Sequence, residues 1–361
     1  MMRFGNRFSV ELFGSSHGPE VGAIVRGLPE GFPVAVPAIQ SMLDRRRAKG
    51  RSLASRRGEE DRLVIDGGIR DGKYCGPELR AHVDNQDVRR EDYRRFAEVP
   101  RPGHADFPAR TRYGPEADLS GGGIFSGRMT IGLVIGGAVA LQLLAGRRVQ
   151  IVSFTTSVGP VAVEVPEALP LEELRVRAGS NEVGCPDGQA AARMEEVIAT
   201  ARRDGDSVGG TIETRVEGLP VGVGEPFFDS IESVIAHLAF AVPAVKGIEF
   251  GAGFRAASMR GSEHNDTFYL DNGVVKTRTN SAGGVLGGLA NGMPVRFRVA
   301  VKPTSSIARP QETLNLRTGG METLRVPGRH DPCIVPRAVV VLEAVTAIGL
   351  ADLALQGGFL P

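Results

Sequence analysis

From Met129 to Gly146 the chain reads MTIGLVIGGAVALQLLAG, a run without one charge, bounded by Arg128 and by Arg147-Arg148. A segment of that length and apolarity either crosses a bilayer or fills the middle of a protein layer. Its glycines and Gln142 favour the second reading, a helix buried inside the protein. Gly132, Gly136 and Ala140 recur at intervals of four, leaving one face small enough for a neighbouring backbone to come close. A second segment of this kind, Ala338 to Leu355, is nearly all apolar and forms the closing helix. Two such helices need cover on every side, and 361 residues are enough to supply it.

The cover is expected from strands. Phe8–Phe13, Gly22–Arg26, Leu63–Ile69, Glu78–Val83, Val149–Thr155 and Gly210–Val216 are β-rich runs ending at glycine or proline turns. In Pro294 to Lys302 the apolar Val295, Phe297, Val299 and Val301 alternate with Arg296, Arg298, Ala300 and Lys302, the period that buries one face of a strand. Helices are expected from Pro37, over Gln189–Arg203 and over Phe227–Ala241. No proline- or serine-rich linker divides the chain, so it reads as one continuous α+β domain.

Composition excludes several classes. A net charge of +1 gives no general attraction to nucleic acid or to an anionic membrane. Cys75, Cys185 and Cys333 are far apart and form no CxxC pair, so neither a disulfide framework nor a zinc site is expected, and a reducing cytosol suits them. Met1 to Val10 has no apolar run, so no signal peptide is expected. The segment Arg45 to Arg62 is dense in cations; it reads either as a solvated loop or as a lid over an anionic substrate.

Chemistry concentrates in the glycine-rich turns. Thr279 to Ile307 carries Gly283-Gly284, Gly287-Gly288 and Asn291-Gly292, then the strand just described, then Lys302-Pro303-Thr304-Ser305-Ser306. An ammonium, three hydroxyls and a stiff turn at a strand end suit a phosphate group, although a plain polar loop after an edge strand has the same composition. His17 in GSSHG, His104 in RPGHAD and His330 in GRHDPC sit in turns, the last two beside an arginine and a carboxylate that could tune an imidazole for proton transfer. His82 and His237 read as structural. No HExxH or HxH spacing is present, so no metal is expected.

Together these stretches resemble the chorismate synthase family almost end to end. The motifs are FGSSHG with GLPEGFPV, DRRR, DNQDVRREDY, RPGHADFPARTRYG, SGGG, CPDG, GDSVGG, AVKGIEFGAGF, GSEHND, TNSAGGVLGGLANG, KPTSSI and GRHDPC followed by PRAV. Each alone is weak, and their common order is specific. The resemblance implies a β-α-β sandwich with core helices between two antiparallel sheets, assembled as a homotetramer. It implies a lyase that turns 5-enolpyruvylshikimate 3-phosphate into chorismate and phosphate with reduced FMN, which an external flavin reductase or another source must supply.

The family's roles carry over to matching positions here. His17 is the expected proton donor to the departing phosphate, His104 the group beside the reduced flavin, and Asp331 the helper in removing the ring proton. Ser16, Arg46, Arg101, Arg128 and Arg329 are expected at the substrate. Ser126, Ala244, Gly287, Lys302, Pro303, Thr304, Ser305, Ser306 and Arg329 are expected at FMN. The chain departs from the family pattern at Ser15, where Glu is usual, across Ile124 to Thr130, and across Lys73 to Pro77; the arginine after DRRR is displaced to Arg51. Those departures leave open a homologue that binds flavin and phosphate without turnover.

Overall fold

The computed structural model describes residues 2–47, 60–86, 95–114, 118–326 and 330–360. Arg329, Arg51 and most of the cationic run after Arg47 lie outside the described residues.

Two five-stranded antiparallel sheets enclose the apolar helices. The first contains β1 (Arg3–Phe4), β2 (Ser9–Gly14), β3 (Glu20–Arg26), β4 (Leu63–Gly67) and β5 (Leu79–Asp84), in the order β1-β2-β3-β5-β4. The second contains β6 (Gln150–Val158), β7 (Val161–Ala162), β8 (Gly210–Glu217), β9 (Val245–Phe250) and β10 (Val295–Val301), in the order β9-β10-β8-β6-β7. The alternation read in the last strand holds, since Val295, Phe297, Val299 and Val301 are buried. That strand is not an edge strand, because β8 and β9 pair with its two sides.

The longer helices among the described residues are α1 (Val36–Arg46), α2 (Asp106–Tyr113), α3 (Thr130–Ala145), α4 (Leu171–Gly179), α5 (Gly188–Arg203), α6 (Ile231–Ala241) and α7 (Val335–Gln356). The two long apolar helices are α3 and α7, both buried inside the protein. They pack against each other, α3 facing the first sheet and α7 the second. Small residues make this layer thin. A Cβ on Gly132 would stand 2.5 Å from the Gly22 carbonyl oxygen of β3, and one on Gly137 would stand 2.3 Å from the Ala344 Cα of α7. The stripe read in the sequence thus serves the sheet, while Gly137, one residue off it, serves the other helix.

Two buried acids on α7 tie that helix to both sheets. Asp352 accepts the backbone N–H groups of Asn6, Arg7 and Phe8, between β1 and β2, at 2.7–3.1 Å. Glu343 accepts the Ser153 N–H of β6 at 3.1 Å and the Arg45 guanidinium at 2.6 Å. Buried carboxylates persist where charge-assisted hydrogen bonds replace their water. Cys185 and Cys333 are buried free thiols, and burial pushes Cys333 up to about 12. His82 pairs with Asp66 at 2.9 Å and His237 stacks on Phe4, both outside the cavity described next.

This arrangement gathers several helix ends in one place. The N-termini of α3 and α7 and the C-termini of α1 and α6 border one cavity, completed by the loops at 101–105, 121–128, 302–306 and 330–334. Helix N-termini carry partial positive charge and favour anions there.

Candidate active site

The cavity has a volume of about 620 Å³, within the range of small-ligand and cofactor sites. Its floor is shaped by three successive glycines. Gly121, Gly122 and Gly123 have φ of 60°, 89° and 53°, a left-handed run that side chains resist. The run passes between two histidines. A Cβ on Gly121 would lie 2.0 Å from the His17 ring, and one on Gly122 would lie 3.5 Å from His104 Nε2. His17 is almost fully buried, its Nδ1 lies 3.2 Å from Ser16 Oγ, and neither residue borders the cavity itself, where Gly121, packed against the His17 ring, forms the wall.

His104 borders the cavity and is held by a buried acid. Its Nδ1 is 2.7 Å from Asp106 Oδ1. The same Nδ1 also lies 3.0 Å from Arg101 Nη2, so both neighbours occupy that nitrogen and Nε2 is left for chemistry on the glycine side. Arg101 donates to both Asp106 oxygens, from Nε at 2.8 Å and Nη2 at 2.7 Å, and to Ser306 Oγ at 3.1 Å. The structure therefore places Arg101 in the cavity wall with its guanidinium committed to Asp106 and Ser306. Burial alone would raise the Asp106 carboxyl, but hydrogen bonds and charge from Arg101 and His104 outweigh it and hold it well below its ordinary value.

A carboxyl depressed by folding adds stability above its unfolded value near 3.8, and that stability is lost as pH falls through the lower folded value. Asp106→Asn is expected to lower stability at neutral pH and to flatten its pH dependence below about 4. Urea unfolding of both proteins across that range checks this, and identical curves would contradict it.

The loop after β10 forms the opposite wall, where Lys302, Pro303, Thr304, Ser305 and Ser306 all border the cavity with Ala244 and Ser126. Lys302 Nζ donates to the Gly103 carbonyl at 2.7 Å and to Ser305 Oγ at 2.9 Å, joining this loop to the His104 loop. Burial, then the charge of Lys246, lowers the Lys302 ammonium from its usual value. Ala244 has φ of 75°, unusual for a residue with a side chain, and its carbonyl accepts the Lys302 N–H at 2.9 Å. Thr304 Oγ1 donates to the Asp331 carbonyl at 3.1 Å. Gly287 is not brought here. It sits in the turn of a hairpin, Val285–Leu286 with Leu289–Ala290, and does not border the cavity of this chain.

The third wall is cationic. Arg46 and Arg128 are both buried, and Asp61 lies between them, Oδ2 3.1 Å from Arg46 Nη1 and Oδ1 2.9 Å from Arg128 Nη1. Asp331 pairs with Arg337 at 2.6 Å. Arg47 presents Nε and Nη2, buried and without a hydrogen-bond partner among the described residues. Asp61, Arg337 and Arg47 were not among the residues expected at the site. Arg47 and Arg337 stood within DRRR and PRAV, but neighbours in sequence did not distinguish which arginine faces inward.

The family profile of chorismate synthase matches residues 8–355. Chorismate synthase of Dehalococcoides mccartyi is 43% identical over 357 residues, covering 99% of this chain and 97% of its own. That of Korarchaeum cryptofilum is 44% identical over 349 residues, covering 97% and 96%. The chain belongs to the chorismate synthase family. It is an enzyme of that family in fold as well. A solved structure described as a crystal structure of chorismate synthase superposes with a TM-score of 0.77 at 28% identity, over 98% of this chain and 93% of that one. The departures from the chorismate synthase pattern fall differently in space. Ile124 and Phe125 border the cavity, whereas Ser15 and Lys73 to Pro77 do not.

Proposed function

We propose that the enzyme is a carbon–oxygen lyase that eliminates phosphate from 5-enolpyruvylshikimate 3-phosphate to give chorismate, with reduced FMN as cofactor. The observation that carries this reading is one cavity lined by His104, by Gly121 in front of His17 and by five arginines beside Lys302 and the Thr304–Ser306 hydroxyls. Such a donor set fits two anionic molecules, and two buried Arg47 nitrogens have no acceptor among the described residues. Lys302, Thr304, Ser305, Ser306, Ala244 and Ser126 would hold the flavin. Arg329, expected at both ligands, lies outside the described residues. Gly287 would reach a flavin only from a neighbouring subunit of an oligomer.

Reduced FMN supplies electron density and a basic nitrogen for an elimination from an unactivated ring carbon. Arg46 and Arg128 bind substrate anions and stabilise charge developing on the leaving phosphate. His17 gives a proton to the departing phosphate oxygen. Asp331, ion-paired with Arg337, takes up a proton. His104, with Nδ1 tied to Asp106, holds or moves a proton at Nε2. Substrate deuterated stereospecifically at the ring position that loses hydrogen should give unlabelled chorismate; retained deuterium would contradict this elimination. Thr304→Ala is expected to weaken FMN about tenfold in an anaerobic titration, and unchanged affinity would remove that residue from the flavin site.

Assembly as a homotetramer is part of the same proposal, with reduced flavin delivered by a separate reductase and the three cysteines kept as thiols in the cytosol. Support comes from apolar surface: Phe227, Phe228 and Phe254 are more than four-fifths exposed, and the hairpin Phe268–Asp271 with Val274–Thr277 exposes Phe268, Leu270, Val274 and Val275. Light scattering should return four times the chain mass, and Phe228→Asp should shift it downward. A monomeric parent protein would contradict the assembly.

A further inference from the structure

Asp61 is placed with unusual care for a residue at the start of a strand. It has φ of 42°, in the left-handed region, and it is almost fully buried. Gln40 of α1 pins the backbone around it, donating to the Asp61 carbonyl at 3.2 Å and accepting the Leu63 N–H at 2.9 Å. With the backbone fixed this way, the side chain turns inward to the cavity. Each carboxylate oxygen then meets a different guanidinium, Arg46 at 3.1 Å and Arg128 at 2.9 Å. Both arginines are also held by neutral acceptors. Arg46 donates to Thr130 Oγ1 at 2.8 Å and to the Gly127 carbonyl at 3.1 Å, and Arg128 donates to Asn85 Oδ1 and to the Asp84 carbonyl.

Two buried guanidiniums within reach of one carboxylate repel each other strongly in a medium of low polarity. Neutral acceptors orient them, and the Asp61 carboxylate, reaching both, offsets that repulsion. We propose that Asp61 is a positioning residue: a fixed counter-anion that holds Arg46 and Arg128 side by side, so that the pair grips a substrate anion without trapping the phosphate product. This rests on the reading that those two arginines bind substrate anions. A pair lacking its counter-anion binds any small anion more tightly and lets phosphate go more slowly, so affinity and turnover move in opposite directions.

The test joins calorimetric titration with inorganic phosphate to anaerobic turnover. Asp61→Asn should bind phosphate at least about tenfold more tightly and turn over at least about tenfold more slowly. In Asp61→Gly, formate should reverse both changes by filling the vacated place, whereas formamide, of the same shape but neutral, should not. Because Asp61→Asn leaves two buried cations and can unfold, Asp61→Asn with Arg128→Met is the second variant, expected to cost no more turnover than Arg128→Met alone. Unchanged phosphate affinity in folded Asp61→Asn, turnover within twofold of the parent, or equal rescue by formamide would overturn the proposal. If the parent protein released no phosphate from the substrate, the proposed reaction would fail, yet the phosphate titration would still decide the role of Asp61.

Discussion

His17→Ala is expected to slow turnover by about 10²–10⁴-fold, the usual contribution of a placed proton donor, while leaving FMN affinity within about twofold. The split follows from position. His17 is buried, contacts Ser16 and lies behind Gly121, on the other side of the glycine run from His104. The Lys302–Ser306 loop and Ala244 border the cavity from other elements, so removing the imidazole leaves that wall intact. Rapid-mixing kinetics under anaerobic conditions gives turnover, and a flavin titration gives affinity. Equal losses in both would contradict the assignment of His17 to the leaving group.

Gly121→Ala should be nearly as damaging without touching any ionisable group. A Cβ there would sit 2.0 Å from His17 Cε1 and 2.1 Å from Nδ1. Overpacking of a tight interior costs about 1–3 kcal/mol, and the left-handed φ of 60° adds about 1–2 kcal/mol for a residue with a side chain. Relief requires the imidazole to move, or the glycine run to shift and carry Gly122 away from His104. The variant should therefore lose turnover on the scale of His17→Ala, with a lowered Tm as well. Gly114→Ala is a suitable control, since its φ of 85° is strained but nothing among the described residues lies within 4 Å of the added atom. If both variants lost turnover equally, backbone strain rather than the histidine contact would be the cause.

The architecture was largely legible in the sequence because it rests on patterns with a fixed period. The uncharged run at 129–146 could only be a spanning or a buried helix, and the alternation at 295–301 could only be a half-buried strand. Edge or interior position was not legible, since it depends on where β9 returns to pair, nearly fifty residues earlier in the chain. The hydroxyl loop and the turns at His104 and His330 do border the cavity, but each has the residue types of an ordinary polar loop, and they stood out as chemistry only through the common order of the motifs. The arginines were harder. In Arg45-Arg46-Arg47, neighbours of identical chemistry go to Glu343 of α7, to Asp61, and to the cavity wall with two nitrogens that have no partner among the described residues. Their fates are set by the helical rotation at the end of α1 and by partners as near as Asp61 and as far away as Glu343. Arg101, expected at the substrate, borders the cavity and is clamped to Asp106, five residues on, a pairing that RPGHAD contains but does not announce. Asp61 sat in a charged run with the look of a solvated loop, and only the Gln40 clamp turns it inward.

Phosphate release from 5-enolpyruvylshikimate 3-phosphate under strict anaerobiosis, with chemically reduced FMN and an oxidised-FMN control, tests the central claim most directly. The account predicts stoichiometric phosphate and chorismate with reduced flavin and neither with oxidised flavin. Binding of flavin and substrate with no release would contradict it, and would mean that the Ile124 and Phe125 wall binds both molecules but does not support elimination.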